Sequence, residues 1–172
     1  MKTTYEERAI KFIERTLAPL LAQNKPRYPK RAIRNYNREH PDHPLKMTSG
    51  YTRTVIIRSD YVVKIDHNPN SGFGNNESEV KAYEFAKNAG YEYLFAKPTL
   101  FRVKGLKVNF EIMPRVRNGI GNFHKHYSRY LTHDELYFVN SFFGDLHEGN
   151  LGYFKNKPIF IDYADIFDEA FE

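Results

Sequence analysis

The period of the apolar positions changes along the chain, and that change divides it. Residues 4–18 read as an amphipathic helix. Ile10, Ile13 and Leu17 share one stripe, Leu20 and Leu21 extend it, and Glu6 and Glu7 sit in the first turn, where the helix dipole favours negative charge. Pro19 lacks an N–H and is expected to end or bend this helix. A second short helix is expected over 29–38, opening at Pro29, and Pro41 and Pro44 predict a loop over 39–44.

From residue 53 the period falls to two. Residues 53–58 (RTVIIR) and 61–65 (YVVKI) read as strands joined by a tight turn at Ser59 and Asp60. A loop rich in Gly and Asn follows over 67–76, then a helix over 77–89 that Gly90 should stop. Strands are expected over 99–103 and 107–113, around a turn at Lys104 and Gly105. In the second, Val108, Phe110 and Ile112 alternate with Lys107, Asn109 and Glu111, the pattern of a half-buried strand that Pro114 ends. Residues 115–131 are basic and irregular. A short helix over 133–142 and strands over 151–154 and 158–161 complete the chain. This order predicts an α+β fold.

Composition narrows the class. There is no cysteine among the 172 residues, which excludes disulfides, zinc–thiolate sites and a cysteine nucleophile. Aromatic residues make up 16%, so aromatic packing should carry much of the burial. The opening MKTTYEERAIKF lacks the apolar block of a signal peptide, and no run approaches a bilayer span. A cytoplasmic protein with no membrane partner is expected. The net charge of +5 comes largely from Lys25, Arg27, Lys30, Arg31, Arg34 and Arg38, with no acidic residue between them. Such a run attracts phosphate-rich partners, but charge runs are mostly solvated surface, and a nucleic-acid partner ranks last. His124 and His126 have metal-ligand spacing without evident companions and are expected in a solvated loop.

The segment Gly144-Asp145-Leu146-His147-Glu148-Gly149-Asn150, followed by Phe160-Ile161-Asp162-Tyr163, carries the chemistry. The two short strands between Asn150 and Asp162 should form a hairpin that returns Asp162 close to Asn150. Carboxylates and an amide oxygen would then gather about one point. Phosphate transfer from ATP uses such a cluster: Mg²⁺ takes hard oxygen ligands, and a further carboxylate orients the attacking hydroxyl and accepts its proton. Asn150 and Asp162 suit the metal role, Asp145 the base role, and His147 is expected to support the loop.

The string GDLHEGN, with Asp162 twelve residues after Asn150, resembles the catalytic loop and metal-binding aspartate of the protein-kinase-like superfamily. It is similar to the aminoglycoside- and choline-kinase-like branches and to small phage-encoded kinases. Tyr163 and Ala164 stand where the family has Phe and Gly. The resemblance implies that Lys64 is the phosphate-binding lysine, with Glu79 (or Glu77) on the next helix as its partner. It implies a phosphate-covering loop around Gly50, and backbone contacts to adenine around Glu111 to Met113. The implied architecture is a minimal kinase-like fold: an N-terminal helical extension over 1–45, an upper lobe of antiparallel sheet plus one helix over 46–113, and a truncated lower lobe over 114–172. The N-terminal helices are expected to stand in for the missing lower-lobe helices. The implied cofactors are ATP and Mg²⁺, and the implied acceptor is a hydroxyl on a protein or a small molecule. A binding module that regulates a partner protein and a kinase-fold nucleotidyl transferase are the alternatives.

Overall fold

A computed structural model describes residues 3–23, 29–67, 76–116, 130–144, 146, 148–155 and 157–165. The expected loops over 67–76 and 115–131, with His124 and His126, fall almost wholly outside these residues, as do Asp145 and His147. The class is α+β with a five-stranded antiparallel sheet, an arrangement consistent with a small kinase-like fold. Contacts divide the chain into two compact units, Met1–Asn76 with Pro98–Arg115, and Glu77–Lys97 with Val116–Glu172.

The first unit opens with helix α1 (Tyr5–Phe12). Thr4 caps it in a reciprocal box: Glu7 donates its N–H to Thr4 Oγ1 at 3.2 Å, and Thr4 donates its own to Glu7 Oε2 at 2.9 Å. The path continues through a π turn (Ile13–Leu17) into α2 (Ala18–Gln23). Pro19 therefore does not end the helix. In the wide turn directly before it, Ala18 donates its N–H to Ile13 O, five residues back. A regular ladder would instead press the proline ring against the carbonyl of Arg15. Helix α3 (Pro29–Glu39) follows, opening at proline as expected.

Strands β1 (Met47–Ser49), β2 (Arg53–Ile57), β3 (Tyr61–Asp66), β4 (Thr99–Arg102) and β5 (Asn109–Pro114) form one sheet in the order β1-β2-β3-β5-β4. The short β1 lies ahead of the first strand expected from the sequence. Registers pair Val63 with both Ile56 and Ile112, and Ile65 with Phe110. These side chains share one sheet face and one core with Ala9, Ile13, Leu17, Leu21, Ala32 and Ile33 of the helices. The N-terminal helices thus cover this sheet and do not replace lower-lobe helices. The stripe that made them legible as helices is the surface that seals the sheet, each fully buried aliphatic side chain contributing about 1.5–3 kcal/mol. Arg8 clasps Asp60 in the β2–β3 turn and holds that carboxyl below its ordinary pKa, chiefly by hydrogen bonding.

The second unit contains helix α4 (Asn76–Asn88) from Glu77 onward, a 3-10 turn (Glu92–Leu94), helix α5 (His133–Phe142), and a hairpin of β6 (Leu151–Phe154) and β7 (Lys157–Phe160). Lys155 has φ 49°, the left-handed region that two-residue hairpin turns favour. Helix α5 has its own capping box between Thr132 and Glu135. Glu135 also accepts the Tyr93 hydroxyl at 2.8 Å. Burial, then this bond to a carboxylate, pushes the Tyr93 phenol up from 10.0 to about 12. A group whose pKa rises on folding adds stability below its unfolded value and loses it as pH passes the folded one. The melting temperature is therefore expected to carry a Tyr93 contribution up to about pH 10 that is gone above about pH 12, and Tyr93→Phe should remove it. Identical alkaline melting profiles for wild type and variant would contradict this.

Among the described residues, no helix is long and apolar enough to cross a membrane.

Candidate active site

The strands that make one sheet face apolar make the other charged. Lys64 alternates with Val63 and Ile65, so it lies on the face away from the core, directly opposite Glu111 of β5. Lys64 Nζ is 3.4 Å from Glu111 Oε1, and both side chains are buried, at 6% and 0% exposure. One pair along, Arg53 faces Asp66 across β2 and β3, and both are buried. Lys64 with Glu111 and Arg53 with Asp66 thus set opposite charges directly across from each other, the favourable cross-strand arrangement.

Asn76 closes the end of this arrangement. Its N–H meets both Asp66 carboxylate oxygens, at 3.1 and 3.3 Å, and its amide donates to Lys64 O at 3.1 Å and Asn109 O at 3.0 Å. A carboxylate at the first N–H of a helix is favoured by the local dipole. The strand end bearing Lys64 is held by the residue that begins α4.

Glu111 and Met113 lie on β5, beside β3. Arg115 donates its N–H to Asp60 O, extending the ladder that pairs Tyr61 with Pro114 and Val62 with Met113. Hydrogen-bonded pairs recur at every second residue of an antiparallel ladder, so Glu111 and Met113 turn their backbone polar groups toward β3. The carbonyl facing away from β3 at this end belongs to Pro114.

Gly50 lies in the β1–β2 connection, exposed, with Gly50 N donating to Arg53 O at 3.0 Å. An added Cβ would meet open space, so nothing steric requires glycine there. The loop is locked by His67, a residue that the sequence reading left unassigned. His67 N–H donates to Thr52 O, Nδ1 lies 3.0 Å from Tyr51 O, and Nε2 lies 2.7 Å from Thr54 Oγ1. No local pattern announces a lone histidine that acts across the sheet.

In the second unit the expected hairpin is present, with Leu151 opposite Phe160. Ile161 donates its N–H to Asn150 O at 2.8 Å, which seats Asp162 one residue beyond Asn150's partner. Asn150 is buried and ends a 3-10 turn (Glu148–Asn150), while Asp162 is half-buried. Gly144, directly before Asp145, donates its N–H to Asp165 O at 3.0 Å. A Cβ on Gly144 would come within 2.5 Å of the Asp165 carboxylate, so the close approach uses the missing side chain. Both described ends of the string GDLHEGN are therefore tied to the backbone flanking Asp162.

Tyr163 fixes the other side of that aspartate. Its N–H is donated to Glu79 Oε1 at 3.1 Å, its hydroxyl to Ala96 O, and its ring meets Phe95 edge-on at 4.9 Å. Glu79 was expected as the partner of Lys64. It is fully buried on α4, and the hydrogen bond described for it within the second unit holds the residue after Asp162. Asn150 and Asp162 offer an amide oxygen and a carboxylate, the hard donors that suit Mg²⁺. Among the described residues, no three His, Asp or Glu side chains form a metal-sized cluster by themselves.

No known family model matches the sequence, and no curated protein does. Among solved structures, the chain is similar to WbdD in complex with a kinase inhibitor, at 14% identity, and to a further WbdD structure at 15%. It is also similar, at 12% identity, to a structure of WbdD described as a bifunctional kinase–methyltransferase. Each has a TM-score of 0.37 and covers 73% of this chain, which spans about a third of the length of WbdD, 33–34%.

Proposed function

We propose that the chain is an ATP-dependent phosphotransferase, moving the γ-phosphoryl group of ATP to a hydroxyl. In this reading Lys64 meets the α- and β-phosphates, Asn150 and Asp162 hold Mg²⁺, and Asp145 serves as the base. The acceptor hydroxyl gives its proton to the Asp145 carboxylate as its oxygen bonds to the γ-phosphorus, and the bond to the β-phosphate oxygen breaks to release ADP. When bound, the metal would neutralise charge on the phosphates. Glu79 keeps its proposed role as partner of Lys64, and it also positions the segment after Asp162 by accepting Tyr163 N–H.

The observation that carries the reading is the pair of backbone bonds, Ile161 N–H to Asn150 O and Gly144 N–H to Asp165 O. They support a common location for the loop over 144–150 and the segment over 161–165, as the proposed chemistry requires. The buried Lys64–Glu111 pair supports it from the first unit, since it keeps an ammonium on a charged sheet face.

The test supplies the full-length protein with Mg-ATP labelled at the γ- or α-phosphate, together with protein and small-molecule acceptors. The expected result is transfer of γ-label alone, reduced at least about a hundredfold in Asp145→Ala, the lower bound for loss of a general base. Transfer of α-label would replace phosphotransfer by nucleotidyl transfer. γ-Transfer that survives Asp145→Ala would end the assignment of the base.

A second reading has an observation of its own. Lys64 is opposite Glu111 within the same sheet, and such a pair can serve structure alone. A binding module would then keep the fold without transferring phosphate.

A further inference from the structure

Helix α3 carries a feature that phosphotransfer does not use. Arg31, Arg34 and Arg38 follow one another at helical spacings of three and four and so share one stripe, while Pro29, Ala32 and Ile33 are buried. Together with Lys30, Asn35 and His67 they line a concavity of about 610 Å³. Among the described residues, the lining contains no acidic side chain. Among the described residues, none of the four cations forms a salt bridge. Like charges held this close repel one another, and a bound anion relieves the repulsion. His67 is a fixed wall here, because its ring nitrogens already face Tyr51 O and Thr54 Oγ1.

We infer that this groove binds a ligand carrying consecutive phosphate groups. The arginine stripe runs along about 10 Å of helix, enough to meet more than one phosphate. Each guanidinium presents a planar fork that pairs with two phosphate oxygens. Among the described residues, the lining holds no Phe, Tyr or Trp on which a base could stack, and the forked guanidinium groups favour phosphate oxygens. The phosphate chain could come from a nucleic-acid backbone or from a free oligophosphate.

The experiment titrates the full chain in magnesium-free buffer with tripolyphosphate, oligo(dT) or oligoglutamate. Without magnesium, metal-dependent binding at Asp162 does not contribute, so failure here and failure of the phosphotransferase reading are separate outcomes. At least one phosphate probe is expected to bind more tightly than oligoglutamate. Arg34→Glu/Arg38→Glu should weaken it by at least about a hundredfold, about tenfold for each arginine. The charge-matched control Lys104→Glu/Lys107→Glu, on the exposed β4–β5 turn, should shift it far less. Tighter binding of oligo(dT) names the nucleic-acid backbone as the source, with a salt slope near about −3 if four cations meet phosphates. Tighter binding of tripolyphosphate names a free oligophosphate. Equal losses in the two double variants, no phosphate binding at low salt, or preference for oligoglutamate would overturn the inference.

Discussion

Glu111→Leu is expected to destabilise the protein by about 3–5 kcal/mol, because it removes the carboxylate 3.4 Å from the buried Lys64 ammonium and breaks a buried ion pair. Lys64→Met should be costly for the mirror-image reason, since it removes the ammonium beside the buried Glu111 carboxylate. The sum of the two losses is not expected in Lys64→Met/Glu111→Leu. Replacing both members by apolar side chains of similar size removes the desolvation cost of two ions together with their attraction, and such exchanges are often neutral or stabilising. The double variant should therefore return to within about 1–2 kcal/mol of wild type in urea unfolding. Single variants that unfold like wild type would show that the pair is not energetically coupled. The double variant has a second use. It is expected to be folded but unresponsive to Mg-ATP, which separates what Lys64 does for the sheet from what it does for a nucleotide.

The second large effect is expected at Phe95. Its ring is 2% exposed, stacked on Phe143 at 4.7 Å, tilted against Phe160 at 5.4 Å and edge-on to Tyr163 at 4.9 Å. The next residue carries two backbone links: Ala96 N–H donates to Phe160 O at 2.8 Å, and Ala96 O accepts the Tyr163 hydroxyl. Phe95→Ala removes the ring at the centre of these contacts and should cost about 3–5 kcal/mol. A two-stranded hairpin is barely stable by itself, so β6 and β7 depend on this packing. The loss should also appear locally, as faster hydrogen exchange at the amide of Ile161, which ties the hairpin to Asn150. Phe95→Leu, which keeps most of the apolar volume, should be milder. A loss below about 1 kcal/mol for Phe95→Ala would mean that the aromatic cluster is not what holds Asp162 in place.

Much of this was legible in the sequence where the controlling interaction is local. The alternation of Val108, Phe110 and Ile112 depends on side-chain period alone, and all three lie in the core. The hairpin of β6 and β7 needed only two short strands joined by a tight turn, and it is present as expected, with Ile161 N–H donated to Asn150 O. The stripe of Ile13 and Leu17 was equally clear, but not the continuation past Pro19, because a π turn leaves no signature in composition. Long-range partners were the harder part. Glu111 as neighbour of Lys64 follows from β3 lying beside β5, a strand order that the sequence does not state. Tyr163 and Glu79 meet across 84 positions, and His67 reaches Tyr51 across 16. The backbone direction of Met113 depends on which register pairs are hydrogen-bonded, which no residue type reveals.

Thermal unfolding with and without Mg-ATP, compared between wild type and Asp162→Ala, bears most directly on the phosphotransferase reading. A ligand that binds only the folded chain stabilises it by about 2.7 kcal/mol at a concentration a hundred times its Kd, which shifts the melting temperature by several degrees. Wild type is expected to show that shift, and Asp162→Ala, folded to the same extent without ligand, is expected to show almost none. Equal shifts in the two proteins, or none in wild type at millimolar Mg-ATP, would contradict it.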